Sequence, residues 1–272
     1  MSEARRFGAY EVSVLVDGVY QAPIEHLSHA TSQAAQDAAV AAWGKPTVDM
    51  DVNLFVLKGP DGISLVDAGT GPFWGPQLGL GREALAAAGI QPADVVRVLL
   101  THLHGDHALG LFGETGRYFP NADVHAPKPD LDFFGNAALK ATVPAYRSGG
   151  FDIAARLLAT YGDRVKPVEE GPVLRGIEAI AMPGHTPGHF GYLIGEGDGR
   201  LLLWGDLVHV PSLQLADPDV CFIYDADPAA GAASRRSIFT RASREHWVAS
   251  GGHVSGFMQV ERAGDVWRFS PA

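Results

Sequence analysis

Apolar residues along this chain come in short runs, most of them five to seven residues long, and each run gives way abruptly to glycine, proline or polar residues. Residues 10–16 alternate apolar and polar, the signature of a half-buried strand, and Asp17-Gly18 predicts a hairpin turn into Val19-Tyr20. Residues 52–57 and 63–66 are two apolar runs joined by Gly59-Pro60-Asp61-Gly62, which predicts a second hairpin. Further strands are expected at 95–100, around Val124, and at 177–182, 190–194, 200–204 and 247–249, with a closing hairpin of 257–261 and 266–269 around Ala263-Gly264. Helical patterns lie between them. They cover the Ala-rich stretch 34–43, residues 81–89 with Gly89 as the stop, a short helix opening at 108, then 129–134 and 151–161. A longer helix starts at Asp227, an N-cap followed by Pro228 at the first helical position, and runs to about 244. Strand pairs followed by helices, twice over, predict an α/β fold of two mixed β-sheets packed face to face with helices outside, as one domain over 1–272. Residues 21–50 interrupt the pattern and read as a surface helix, a candidate lid or a dimer arm.

The polar residues that end these runs carry the chemistry. Directly after 95–100 comes Thr101-His102-Leu103-His104-Gly105-Asp106-His107, three imidazoles and a carboxylate within six residues. Alternate residues of an extended chain point the same way, so His102 and His104 can aim at one point, while Asp106 and His107, past the bend at Gly105, aim at a second. The strand 177–182 delivers His185 on a Pro/Gly loop, a third imidazole for the first point and a ligand set common for catalytic zinc. The strand 200–204 ends in Gly205-Asp206, a carboxylate able to bridge two cations, and 247–249 ends in Gly251-Gly252-His253, the last ligand of the second point. Asp67, at the end of 63–66, and His189 are expected just outside the ligands, orienting them. His26 and His29 are not expected to be ligands. Phe73, Trp74, Phe134 and Tyr146 stand near the ligand loops as candidate pocket walls, and His209 follows the bridging Asp.

Composition narrows the partners. With a formal net charge of -10 and no Lys/Arg cluster, the chain lacks the basic footprint that nucleic-acid backbones require, so a small uncharged substrate is expected instead. Cys221, the single cysteine, cannot form an intrachain disulfide and sits in an apolar run, where a buried thiol is expected rather than a nucleophile. Neither a secretory signal nor a stretch long enough to span a membrane is evident, so the expected location is cytoplasmic.

The ordered set His102, His104, Asp106, His107, His185, Asp206 and His253 resembles the metallo-β-lactamase superfamily over nearly the whole chain. The likeness is greatest to the methyl parathion hydrolase-like branch beside the N-acyl-homoserine lactonases. It rests on Gly75-Pro76-Gln77-Leu78-Gly79, Phe119-Pro120-Asn121-Ala122, Gly184-His185-Thr186-Pro187-Gly188-His189, and Gly205-Asp206-Leu207-Val208 with Asp217-Pro218. The resemblance implies a four-layer αββα sandwich with two divalent metal ions at one edge, zinc first and manganese, iron or cobalt as alternatives. It implies a hydrolase of lactones, aryl esters or phosphotriesters acting through a metal-bridging hydroxide, often as a homodimer. Asp106 is expected to carry a proton to the leaving group. The lactonases have a tyrosine where this chain has His209, so a tyrosine-assisted mechanism is not carried over, and His209 is itself a candidate to assist the leaving group. Two alternatives stay open: a glyoxalase II-like thioester hydrolase, and a di-metal redox or binding protein without hydrolytic activity.

Overall fold

The first alternating segment extends further than its pattern predicts. In the computed structural model, which describes residues 4–272, Tyr10–Pro23 is one strand of 14 residues. Asp17-Gly18 is therefore no hairpin turn. It is a bulge in the ladder against Thr47–Gly59, where the register shifts between Val16 and Gly18. The reason is the Asp17 carboxylate, which is buried and accepts from Thr70 N and Oγ, Gly79 N and Gly81 N. Those four donors hold inside a strand a dipeptide whose local chemistry suits a turn.

Two seven-stranded sheets carry the fold. The first runs Arg5–Phe7, Tyr10–Pro23, Thr47–Gly59, Gly62–Val66, Val95–Leu99, Asp123–Pro127, Val165–Val168. The second runs Gly171–Leu174, Ile177–Ala181, Phe190–Ile194, Leu201–Leu203, Val248–Gly251, Val254–Ala263, Val266–Pro271. Both are mixed: Val95–Leu99 is parallel to its two neighbours, and Leu201–Leu203 is parallel to Val248–Gly251. The strands Val165–Val168 and Gly171–Leu174 lie outside the sequence expectations. They are edge strands, each carrying a proline that would interrupt an interior ladder and weakens the strand signal.

The period of two sorts side chains into layers. Phe55, Leu57, Tyr192, Ile194, Leu201 and Leu203 meet in the core between the sheets. Their neighbours Leu54 and Val56 face outward into a core closed by Phe151, Ala154 and Leu157 of the helix Gly149–Tyr161. Leu193 and Leu202 face outward on the other side, against Ile238, Phe239 and Ala242 of the helix Pro228–Arg244. Strands buried on both faces become continuous apolar runs, which is why they were legible as runs rather than as alternations. The result is the expected α/β four-layer sandwich, αββα.

Beyond the bulge, the long strand pair carries residues 18–23 and 47–52, and with them a small separate core. Ala22, Leu27, Val48 and Met50 pack with Val210, Val220 and Phe222, and the strand Leu27–His29 pairs with Val220–Phe222. The helix Gln33–Trp43 lies over this annex, with Ser32 capping its N-terminus and a left-handed Gly44 ending it. Cys221 is buried in that small strand pair, and burial raises its thiol pKa to about 12, which keeps it protonated.

Candidate metal centre

The rim of the sandwich collects the strand ends. His102 and His104 follow Val95–Leu99; at His104 the chain is still extended, and the short helix Gly105–Ala108 begins at the next residue. That change of direction separates the two pairs of side chains. One group of potential ligand atoms comes from His102, His104 and His185, and a second from Asp106, His107, Asp206 and His253; within each group all atoms lie within 4.8 Å of one another. A third combination, His185, Asp206 and His209, overlaps both.

Asp206, a member of the second and third groups, also approaches His185 of the first. Its Oδ1 lies 3.0 Å from His107 Nε2, while its Oδ2 lies 3.0 Å from His253 Nε2, 3.3 Å from His185 Nε2 and 3.4 Å from His209 Nε2. Asp106 Oδ2 is 3.5 Å from both His107 Nε2 and His253 Nε2. Gly205 makes the approach possible, since it adopts φ 52° and a Cβ there would stand 2.6 Å from His189 Nε2.

Four of the imidazoles are turned by a partner on Nδ1, whereas His104 points its Nδ1 at His185 Nε2, 2.9 Å away. Thr101 Oγ takes His102 Nδ1, Asp67 takes His107 Nδ1 at 2.8 Å, Asp225 takes His185 Nδ1 at 2.8 Å, and the Asp51 carbonyl takes His253 Nδ1 at 2.7 Å. Their Nε2 atoms are thereby left facing the cluster. Among the described residues, His102 Nε2, His107 Nε2, Asp206 Oδ1 and both nitrogens of His209 are buried without a hydrogen-bond partner. Buried polar atoms are seldom left so, and a set of nitrogen and carboxylate donors in this state fits divalent cations.

Electrostatics agree with that fit. Burial pushes His102 well below the usual imidazole pKa and His104 to about 3, so both are neutral, the form in which histidine binds a metal. Burial also opposes charge on His107 and His185. The carboxylates Asp206, Asp106 and Asp67 outweigh it at His107, which is raised well above 6.5, and Asp206 with Asp225 raises His185 to about 9. Carboxylates that favour a proton at these positions favour a cation equally well.

His189 stands outside both groups. Its Nδ1 donates to Met182 O and its Nε2 accepts Asp206 N, so the ring holds the backbone of Asp206. Asp67 has φ 59° and ties Thr101 to His107. His26 bonds Tyr224 Oη, and His29 bonds Asp217. Sequence reasoning missed Asp130, a buried carboxylate accepting from Leu103 N, Thr186 Oγ and Gly188 N. It clamps the first two ligand loops together, and no local pattern announces it.

A cavity of about 340 Å³ opens over His104, Asp106, His185, Asp206, His209 and His253. Trp74 and Tyr146 line it, together with Tyr20, Met50, Ile153, Tyr224, Arg147 and Asp152, which were not anticipated. Two expected wall residues go elsewhere. Phe73 is solvent-exposed beneath the Arg156 guanidinium, 4.7 Å from its ring centre, and is not part of the lining. Phe134 is buried in the helix-side core and borders a neighbouring cavity, where it packs near the His104 ring. A side chain's place in sequence near a ligand loop does not set the face it takes.

This fold, with histidine and aspartate groups gathered on one rim, defines the class of protein. The chain belongs to the metallo-beta-lactamase superfamily, whose sequence model matches residues 48–253. It is 30% identical to the probable metallo-hydrolase YqjP of Bacillus subtilis (strain 168) over 174 residues, 58% of this chain and 53% of that protein. It is 29% identical to ribonuclease Z of Nocardia farcinica over 164 residues, 58% and 48% of the two. The match thus spans about half the length of these relatives. Among solved structures, the hydrolase AbOPH, of the beta lactamase superfamily, superposes with a TM-score of 0.89 at 25% identity, covering 99% of this chain and 96% of that one. AidC, a dizinc quorum-quenching lactonase solved with a product, gives 0.88 at 23% identity, covering 99% and 97%. Among the described residues no helix is long and apolar enough to cross a membrane.

Proposed function

We propose that this chain is a dinuclear metal-dependent hydrolase of small, uncharged lactones or aryl esters, with phosphotriesters as the neighbouring substrate class. One observation carries the reading: two donor groups meet at Asp206 on the floor of a cavity walled largely by apolar and aromatic side chains. His102, His104 and His185 would hold one divalent cation, zinc first, and Asp106, His107 and His253 a second, with Asp206 between them. Bound there, the cations supply Lewis-acid polarisation and lower the pKa of water towards neutrality.

The chain's own residues do the rest. Asp106 is half-buried at the cavity mouth of the cluster, where a carboxylate can take a proton and return it to the leaving group. His209 also lines the cavity, and burial lowers its pKa to about 4 even though Asp206 pulls it upward. A neutral imidazole whose nitrogens have no hydrogen-bond partner among the described residues can orient a departing alkoxide by donating its N–H to it. Tyr20, Trp74, Tyr146 and Tyr224 offer flat apolar faces to an acyl or aryl group and exclude water from it.

Likeness to AbOPH and AidC supports this reading, and the net charge of -10 weighs against a polyanionic substrate. Likeness to ribonuclease Z favours a second reading, phosphodiester hydrolysis of RNA. The experiment is metal content of the purified protein together with initial rates on lactone, aryl-ester, thioester, phosphotriester and RNA substrates, with and without chelator. Two metals per chain and chelator-sensitive lactone or ester turnover are expected. Turnover of RNA alone would replace the proposal with the second reading, and two irons without any turnover would replace it with a redox role.

A further inference from the structure

The helix Pro228–Arg244 contributes a fully buried arginine that the reaction scheme does not use. Arg235 lies behind the loop that delivers His185, and two of the groups it touches, Asp225 and Leu207 O, lead to the ligand rim. Its NH1 is 3.6 Å from Asp225 Oδ2 and donates to Leu207 O, the carbonyl just after Asp206. Its Nε donates to Pro218 O and its NH2 reaches Cys221 Sγ. The other oxygen of Asp225, Oδ1, accepts His185 Nδ1–H at 2.8 Å.

The backbone makes this contact rigid. Ala226 N bonds His185 O and Asp227 N bonds Gly184 O, so the segment carrying Asp225 is laced to the ligand loop. Helix and loop also touch closely, since a Cβ on Gly184 would fall 2.1 Å from Gly231 N. Asp225 Oδ2 is buried, has no hydrogen-bond partner among the described residues, and lies 3.6 Å from the guanidinium NH1. A buried carboxylate paired with a single arginine is costly, and it is retained most readily where its charge acts on something else.

We propose that Asp225 and Arg235 are positioning residues for the His102/His104/His185 donor group. Asp225 fixes the His185 tautomer so that Nε2 presents its lone pair to the cation. Arg235 counterbalances the Asp225 charge and, through Leu207, holds Asp206 in register with His185. The inference rests on the metal-centre reading above. It assigns to that group the carboxylate support that Asp67 gives His107 on the other side of Asp206.

The test measures Zn²⁺ affinity by competition with a chromophoric chelator, and the absorption spectrum of the Co²⁺-loaded protein, for wild type, Asp225→Asn, Arg235→Met, Arg235→Lys and the double variant Asp225→Asn/Arg235→Met. Asp225→Asn is expected to weaken one of the two sites 10- to 100-fold and to change its Co²⁺ bands, leaving the other site as in wild type. Arg235→Lys, which keeps the charge, should stay within about threefold of wild type. The double variant, which removes both charges together and so leaves no unpaired one, should bind no more weakly than Asp225→Asn alone, because the two residues act along one line. Near-UV circular dichroism of each apoprotein separates lost binding from lost folding, and the double variant stands in if Arg235→Met does not fold. Wild-type Zn²⁺ affinity in Asp225→Asn, or losses that multiply in the double variant, would overturn the inference. Failure of the wild type itself to bind two ions would instead overturn the metal-centre reading beneath it.

Discussion

Replacing Asp67 by asparagine, alanine and glycine separates the roles of charge, hydrogen bonding and backbone shape at the Asp106/His107/Asp206/His253 group. Its carboxylate accepts Thr101 N and Oγ on one side and His107 Nδ1–H on the other, and its φ is 59°. Asparagine keeps the size and tolerates the left-handed conformation. Only the amide nitrogen is new. Turned towards His107, it donates to Nδ1 and drives the imidazole proton onto Nε2, the atom 3.0 Å from Asp206 Oδ1. Turned the other way, it confronts the backbone N–H of Thr101. A nitrogen carrying a proton cannot ligate, so the second cation should bind 10- to 100-fold more weakly, about 1.4–2.7 kcal/mol.

Alanine removes the acceptor altogether, costing about 1–3 kcal/mol for the buried donors of Thr101. The wild-type aspartate already occupies the left-handed region, so the metal-free Asp67→Ala protein should lose about 1–3 kcal/mol, and Asp67→Gly about 1 kcal/mol less than that because glycine alone is free of the left-handed strain. The assays are metal titration against a competing chelator and urea denaturation of the chelated proteins. Asp67→Asn binding both cations as tightly as wild type would refute the tautomer argument, and Asp67→Ala as stable as Asp67→Gly would refute the backbone one.

Trp74→Ala should lower kcat/KM on an aryl ester about two- to tenfold, the range of one lost aromatic contact, whereas Phe73→Ala, one residue away but outside the cavity, should leave it unchanged. Equal effects in a steady-state comparison would mean that the cavity wall is wrongly drawn. His125, in the strand Asp123–Pro127, has its pKa lowered by burial and then by Arg97. A depressed imidazole pKa means that below pH 6.5 the unfolded chain takes up a proton that the folded one refuses, so stability falls as pH drops from 6.5 towards the folded pKa. His125→Asn should flatten that part of the unfolding free-energy profile, by less than one proton or ~1.4 kcal/mol per pH unit, and an NMR titration of His125 with a midpoint above 6.5 would contradict it.

The gathering of these histidines and aspartates on one rim was legible because its signal is local. Histidines and aspartates at the ends of apolar runs lie within a few residues of the strands that aim them, and a strand's period dictates their direction. What supports the rim was not legible. Asp225 meets His185, and Arg235 meets Asp225, only because a later segment of the chain packs against the His185 loop, and Asp130 acts through contacts 27 to 58 residues away. The Asp17-Gly18 pair shows the limit from the other side: bulge and hairpin draw on the same residues, and the donors that decided between them come from the distant Thr70–Gly81 loop. Phe73 and Trp74 are neighbours with opposite fates, settled by the partners each ring finds.

That bulge also divides labour along a single strand pair. Before it, Val12, Val14, Phe55 and Leu57 are committed to the layer between the sheets; after it, Tyr20 and Met50 face the cavity, and Ala22 and Val48 anchor an annex with a core of its own. Part of the cavity wall therefore hangs on an overhang whose core is separate from that of the sandwich. Such a segment can lengthen, shorten or change its aromatic residues while the cation-holding edge stays put, so selectivity can drift among descendants of one scaffold without reopening the question of whether they fold.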